Sequence, residues 1–182
     1  MGSDFVHIIR SRDVRASGTI VSVQPDADQC ALIARQLGVL AVANIAANFL
    51  VKTEGRDGLR LTGEVGADVS QVCVVTDDPV DSRVEEQVNI LFLPPDVVDQ
   101  MNSVETSGKE TTFAAEDDEI EALENDSIDL VRVITEFIAI GLDPYPRAPG
   151  VPLSDHIEDD DGEKPPSPFA ALKGLTEGTS KN

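Results

Sequence analysis

The chain has 182 residues, 41% of them apolar, with no tryptophan, one tyrosine, six phenylalanines and a formal net charge of -20. That length suits one ordinary core with tails, and the charge argues against broad binding to phosphate backbones or anionic membranes while attracting basic proteins, polyamines or divalent ions. The charge is uneven: residues 1–60 carry seven basic and six acidic side chains, whereas residues 61–182 carry seven and 28.

In chain order, FVHII (Phe5 to Ile9) and GTIVSVQP (Gly18 to Pro25) read as short strands joined by RSRDVRAS. In PDADQCALIARQLG, Asp26 is a helix N-cap, Gln29 completes a capping box, and Ala27, Cys30, Ala31, Ala34 and Leu37 share a face. Gly38 is placed to end that helix. VANIAANFLVKTEG is ambiguous, with an Ala-rich start that suits a helical turn and a strand from Phe49 to Thr53.

Beyond a GRDG turn, Leu59, Leu61, Val65, Ala67, Val69, Cys73 and Val75 share one parity; Arg60, Thr62, Glu64, Asp68, Ser70 and Thr76 occupy the other. Period two predicts a long antiparallel strand with a wet face, bent at Gly63 and Gly66. Val84, Glu86, Val88, Ile90 and Phe92 continue the alternation after the turn TDDPVDS, so a hairpin is expected. Residues 96–126 are acidic and read as a loop with a short helix or a groove-covering segment.

Asp126 then caps a helix in which Leu130, Ile134, Phe137 and Gly141, flanked by Val131 and Ile138, form an apolar stripe, with Asp129, Arg132 and Glu136 opposite. From Ile128 to Leu142 it spans about 22 Å, short of a ~30 Å hydrocarbon core, so it belongs on the sheet and not in a membrane. Pro144 and Pro146 stiffen the exit and fix Tyr145, with Arg147 after it. One reading is a rigid strap with Tyr145 capping the core; the other is an exposed recognition corner. The acidic stretch that follows reads as a disordered tail over 154–182, ending in PFAALKGL, where Phe169, Leu172 and Leu175 make a short apolar motif suited to a partner protein.

The fold class that emerges is α+β: an antiparallel β-sheet or partly open β-barrel with two main packed helices, in a single domain over 1–153. The chemistry of an enzyme is not written in the sequence. His7 and His156 have no nucleophile motif beside them, and Cys30 and Cys73 lack zinc-ligand spacing and read as buried free thiols. Asp77 with Asp78, and Glu116 to Glu119, lack the spacing of a calcium loop and read as solvated charge. LTGEVGAD contains no lysine of a phosphate-binding loop. No catalytic, metal or cofactor-binding residue is assigned, no cofactor or small-molecule substrate is expected, and without a secretory-type apolar segment in MGSDFVHIIRSRD the expected location is cytoplasmic. Arg10, Arg12 and Arg15, next to His7, form a basic cluster that reads as surface charge or as a set of RNA contacts, with Arg56 and Arg60 as further members.

The ordered combination of GEVGADVSQVCVVTDDPV, IDLVRVITEFIAIGLDPYPRAPG and PPSPFAALKGL resembles the large ribosomal RNA subunit accumulation protein family, YceD, over residues 5–175. The resemblance implies a non-enzymatic role in 23S ribosomal RNA accumulation and large-subunit assembly. The implied partners are ribosomal or assembly proteins, or the RNA itself. Members of that family often carry a Cys-x-x-Cys pair in the long strand; here the first position is Cys73 and the second Thr76, which leaves no metal or redox pair.

Overall fold

The period-two stretch that follows the GRDG turn becomes the central strand of a five-stranded sheet in the computed structural model, which describes residues 6–55, 57–105 and 119–150. In chain order the strands are β1 (Ile8–Arg10), β2 (Thr19–Val23), β3 (Ala41–Glu54), β4 (Gly58–Val72), β5 (Pro79–Leu93), β6 (Glu119–Ala122) and β7 (Ser127–Asp129). The α-helices are α1 (Ala27–Leu37), α2 (Pro95–Glu105) and α3 (Leu130–Ile140). All belong to a unit spanning Met1–Pro149. A second unit begins at Gly150, and its tail, with His156, Phe169, Leu172 and Leu175, lies outside the described residues.

The sheet order is β2-β3-β4-β5-β6, antiparallel except for the parallel β5–β6 pair, and β1 with β7 makes a separate two-stranded ribbon. β2 and β6 form the two ends of the sheet and are not paired with each other. The architecture is therefore an open mixed α+β sheet; the partly open barrel is corrected, because no strand pairing closes the sheet among the described residues. The hairpin runs further than the side-chain alternation alone suggests, pairing Leu59 with Phe92 at one end and Val72 with Pro79 at the other.

β3 resolves the ambiguous Ala-rich segment in favour of strand. Its pairing with β4 holds from Ala41 to Ala43 and again from Ala46 to Glu54, with a bulge between that places Asn44 at φ 49. Neighbouring strands supply hydrogen-bond partners along the whole segment and override the local preference of alanine. The bulge turns Asn44 to donate from Nδ2 to Asp68 Oδ2 at 2.6 Å across the strand pair.

One face of the sheet is dry. Phe49, Val51, Leu59, Leu61, Val65, Val69, Val88, Ile90 and Phe92 are all buried there, and α1 and α3 cover them with Cys30, Ile33 and Ala34 from one helix and Leu130, Ile134, Phe137 and Ile138 from the other. Helix α1 begins as its sequence dictates: Asp26 accepts from the Gln29 amide, the Gln29 side chain accepts from Asp26 N, and Gly38 closes the helix in the left-handed region. Helix α3 is shorter than the apolar stripe suggests and is capped by Asp129, whose Oδ1 accepts from Val131 N at 3.0 Å. Asp126 is not the cap; it sits three residues upstream in a 3-10 turn at φ 54, and β7 intervenes between it and the helix. The stretch read as an acidic loop contains α2 and β6, and its residues 106–118 lie outside the described set.

Candidate protein-docking corner and arginine cleft

β4 leaves the sheet at Val72, and the chain reverses through Cys73 to Asp78 before β5. Two backbone bonds hold this turn, Cys73 N–H to Asp78 O at 2.8 Å and Asp77 N–H to Cys73 O at 3.1 Å, with Asp77 in the left-handed region at φ 61. The strap after α3 then docks on the turn. Gln71 Nε2 donates to Asp143 O at 2.9 Å, Val74 N–H to Pro146 O at 2.9 Å, and Ala148 N–H to the Cys73 sulfur at 3.4 Å. A rigid strap is therefore present.

Its inward residue is Pro146, however, and not Tyr145. The Tyr145 amide is tied to Asp143 Oδ1 at 2.8 Å, and Tyr145 is 70% exposed while Pro146 is buried. The reading in which Tyr145 caps the core is corrected: in an extended strap alternate residues face opposite ways, and Pro146 takes the inward place. Arg147 is also exposed. Next to the strap the turn presents Val74 and Val75, 51% and 50% exposed; Val72, the last residue of β4, is 42% exposed on the wet face, the side of the strand away from the strap. Val75 was placed by its parity among the inward residues, but the strand ends at Val72 and parity has no meaning in the turn that follows.

Val72 and Val74 are the residues that sequence reasoning passed over. Val72 carries the parity of Asp68 and Ser70, the wet face of β4, so its exposure was legible, whereas Val74 lies in the turn, where parity carries no signal. The carboxylates of Asp77, Asp78, Asp81 and Asp143 stand exposed on the turn, the start of β5 and the strap.

Cys73 lies beneath this surface, fully buried, while Cys30 is buried on the inner face of α1; both thiols are free. The Thr76 hydroxyl and the backbone amides of Ala148, Val75 and Thr76 converge on the Cys73 sulfur and bring its pKa down to about 7. Burial pushes the Cys30 thiol the other way. Thr76, standing where a second cysteine would complete a pair, thus serves the first as a hydrogen-bond partner.

The basic cluster is divided by the fold. Arg10 and Arg12, on β1 and the 3-10 turn after it, line a cleft of about 500 Å³ together with Asp57, Asn125 and Asp126. Asn125 and Asp126 enter it from a turn with φ of 51° and 54°, and the Ser11 hydroxyl donates to Asp126 O at 3.1 Å. Arg15 does not line this cleft; it belongs to the turn before β2, where its amide bonds the Thr19 hydroxyl. Arg60 lies on β4, bonded to Asn89 and paired with Glu54, and Arg56 lies outside the described residues. Two acids therefore accompany the two arginines of the cleft. His7 packs at the β1 end, where its carbonyl accepts from Leu130 N–H. Among the described residues no three His, Cys, Asp or Glu side chains converge as metal ligands would, and no helix is long and apolar enough to cross a membrane.

Compared with known proteins, residues 61–176 match the family model described as large ribosomal RNA subunit accumulation protein YceD. The chain belongs to this family. No curated protein and no solved structure matches it. Membership of the YceD family ties the chain to accumulation of large-subunit ribosomal RNA and so to ribosome biogenesis. The matched segment includes most of β4, all of β5 and α3, and the whole corner built around Cys73 and Tyr145; Arg10, Arg12 and Arg15 precede it.

Proposed function

We propose that the protein is a non-enzymatic cytoplasmic factor for 23S ribosomal RNA accumulation and large-subunit assembly, acting mainly through protein contacts. Its acidic surface, Tyr145 and Arg147 on the strap, and Phe169, Leu172 and Leu175 of the C-terminal arm are the attachment points. The observation that carries this reading is the corner itself. It sets exposed apolar side chains among carboxylates on a backbone pinned by hydrogen bonds, inside the segment matched by the family. A negative field over residues 61–182 steers and shields strongly basic proteins until RNA takes them over.

Affinity purification of the full chain at native expression, with identification of both protein and RNA in the eluate, tests the proposal. Ribosomal or assembly proteins should dominate the catch at low salt and persist in part at physiological salt. An eluate free of them at both salts overturns it.

A direct RNA contact is a second reading, favoured by one observation: Arg10 and Arg12 share a cleft. Asp57 and Asp126 in the same cleft oppose it. Under this reading Arg-to-Glu changes at positions 10, 12 and 15 abolish binding to a 23S fragment, and salt weakens it. Absence of binding by the unaltered chain at low salt removes it.

A further inference from the structure

The corner between the β4–β5 turn and the strap after α3 carries more than a general capacity for contact, because its chemistry selects one kind of partner. Val74, Val75 and Tyr145 are each at least half exposed, and the Val74–Pro146 backbone bond brings the turn and the strap together. Exposed carboxylates of Asp77, Asp78, Asp81 and Asp143 belong to the same two segments and the start of β5, with Arg147 as the guanidinium of the strap and Arg83, beside Asp81, engaged by Asp68 and Glu85. We propose that this corner is the docking surface for a lysine- or arginine-rich segment of a partner protein that also bears aliphatic side chains. The inference rests on the protein-contact reading above and names the partner's chemistry.

Three physical arguments select this occupant. Phosphate backbones and anionic headgroups meet like charge at the four carboxylates, so RNA and lipid are disfavoured at the corner. A second copy of the chain, seated on the same surface about a two-fold axis, would set this acidic surface against an identical acidic surface. A basic segment instead gains charge pairing at the rim and burial of the valines and Tyr145 at the centre, the arrangement of a well-packed contact. The surface is also pre-organised. The Gln71–Asp143, Val74–Pro146, Tyr145–Asp143 and Ala148–Cys73 hydrogen bonds fix its backbone, so little ordering is left for the partner to impose.

The chain supplies its own reporter. Tyr145 is the only tyrosine and there is no tryptophan, so intrinsic emission reads this corner alone. The experiment titrates the full chain at low salt with a short synthetic peptide alternating lysine and valine, free of aromatic residues. A saturable change in Tyr145 emission is expected, weakening with added salt and absent with the peptide in which glutamate replaces lysine. Val74→Ser with Val75→Ser, and separately Asp77→Asn with Asp78→Asn, should each weaken binding about tenfold in chains whose far-ultraviolet circular dichroism matches that of the parent.

No saturable response to the lysine peptide, or a response that both variants leave unchanged, overturns the proposal. So does a tighter response to a 23S RNA fragment than to the peptide, or emission that changes with protein concentration alone, which would reveal a second copy on the surface. Purification with the Val74→Ser, Val75→Ser chain separates the two levels: undiminished capture of ribosomal proteins overturns the corner and leaves the assembly reading standing, whereas no capture by the unaltered chain overturns the reading itself.

Discussion

Gly63 and Gly66 lie three residues apart on the same strand, and replacing each by alanine should give opposite results. A Cβ on Gly63 would stand 2.1 Å from the Asn48 carbonyl oxygen and 2.9 Å from Phe49 Cα, both backbone atoms of β3. A Cβ on Gly66 would meet only the Arg83 guanidinium, at 2.6 Å, the far end of a half-exposed side chain. In an ordinary strand the change from glycine to alanine stabilises by about 0.5–1 kcal/mol through the unfolded chain and local packing. At Gly63 the clash is relieved only if β3 retreats by roughly 1 Å, which stretches one or two ladder bonds at about 1 kcal/mol each and opens the packing around Phe49 for a further ~1–3 kcal/mol. Gly63→Ala should therefore lose about 2–3 kcal/mol net, and Gly66→Ala should stay within about 0.5 kcal/mol of the parent. Urea unfolding followed by far-ultraviolet circular dichroism reads this directly: with a slope of about 1–3 kcal/mol per molar, the Gly63 variant's midpoint falls by roughly 1 M or more. A Gly63→Ala midpoint equal to or above that of the parent, or equal shifts in the two variants, would refute the close-approach reasoning.

Asp129→Ala should cost about 1 kcal/mol of stability as the cap of α3 is lost, whereas Asp126→Ala, at the position that sequence alone makes the cap, should be close to neutral; paired thermal melts decide between them. Arg132 pairs with Glu121 and Glu136, so Arg132→Gln should destabilise by about 1 kcal/mol at neutral pH. Burial raises the Glu136 pKa in the folded chain, so its protonation favours folding, and the penalty of Arg132→Gln should shrink at acidic pH as that carboxylate neutralises. The Cys73 pKa is lowered from 9.0 to about 7, so its thiolate adds stability that is fully present above pH 9 and is lost as pH falls through about 7. Thiolate absorbance should show a step near pH 7 that Cys73→Ser abolishes while the Cys30 step, displaced above the ordinary thiol range, remains; a single step for both thiols at the ordinary pKa would contradict the cradle of donors.

Local signals were legible wherever they determine their own geometry. The Asp26–Gln29 box and Gly38 bound α1 because each uses atoms within one turn of chain, and the alternation from Leu59 to Val69 reveals the dry face because a strand has only two sides. The long hairpin and the apolar stripe of α3 follow for the same reason. Residues whose role depends on a distant neighbour were not legible. Ala41 to Asn48 becomes strand only because β4 pairs along it, joined by β2 from Ala47, and β6 adds in parallel to β5 from a stretch whose acidity reads as loop. The corner shows the same division. Proline spacing in DPYPR made the strap stiff in any context, but which residue turned inward was decided by the bonds to the strap from Gln71 and Val74 and by the bond from Ala148 back to Cys73, about 70 residues away in sequence. Sequence by itself determined the family, the charge asymmetry and the existence of a rigid exit after α3. Only the folded chain placed Tyr145 outward beside Val74 and Val75, because exposure is a property of neighbours, and those neighbours come from separate parts of the chain.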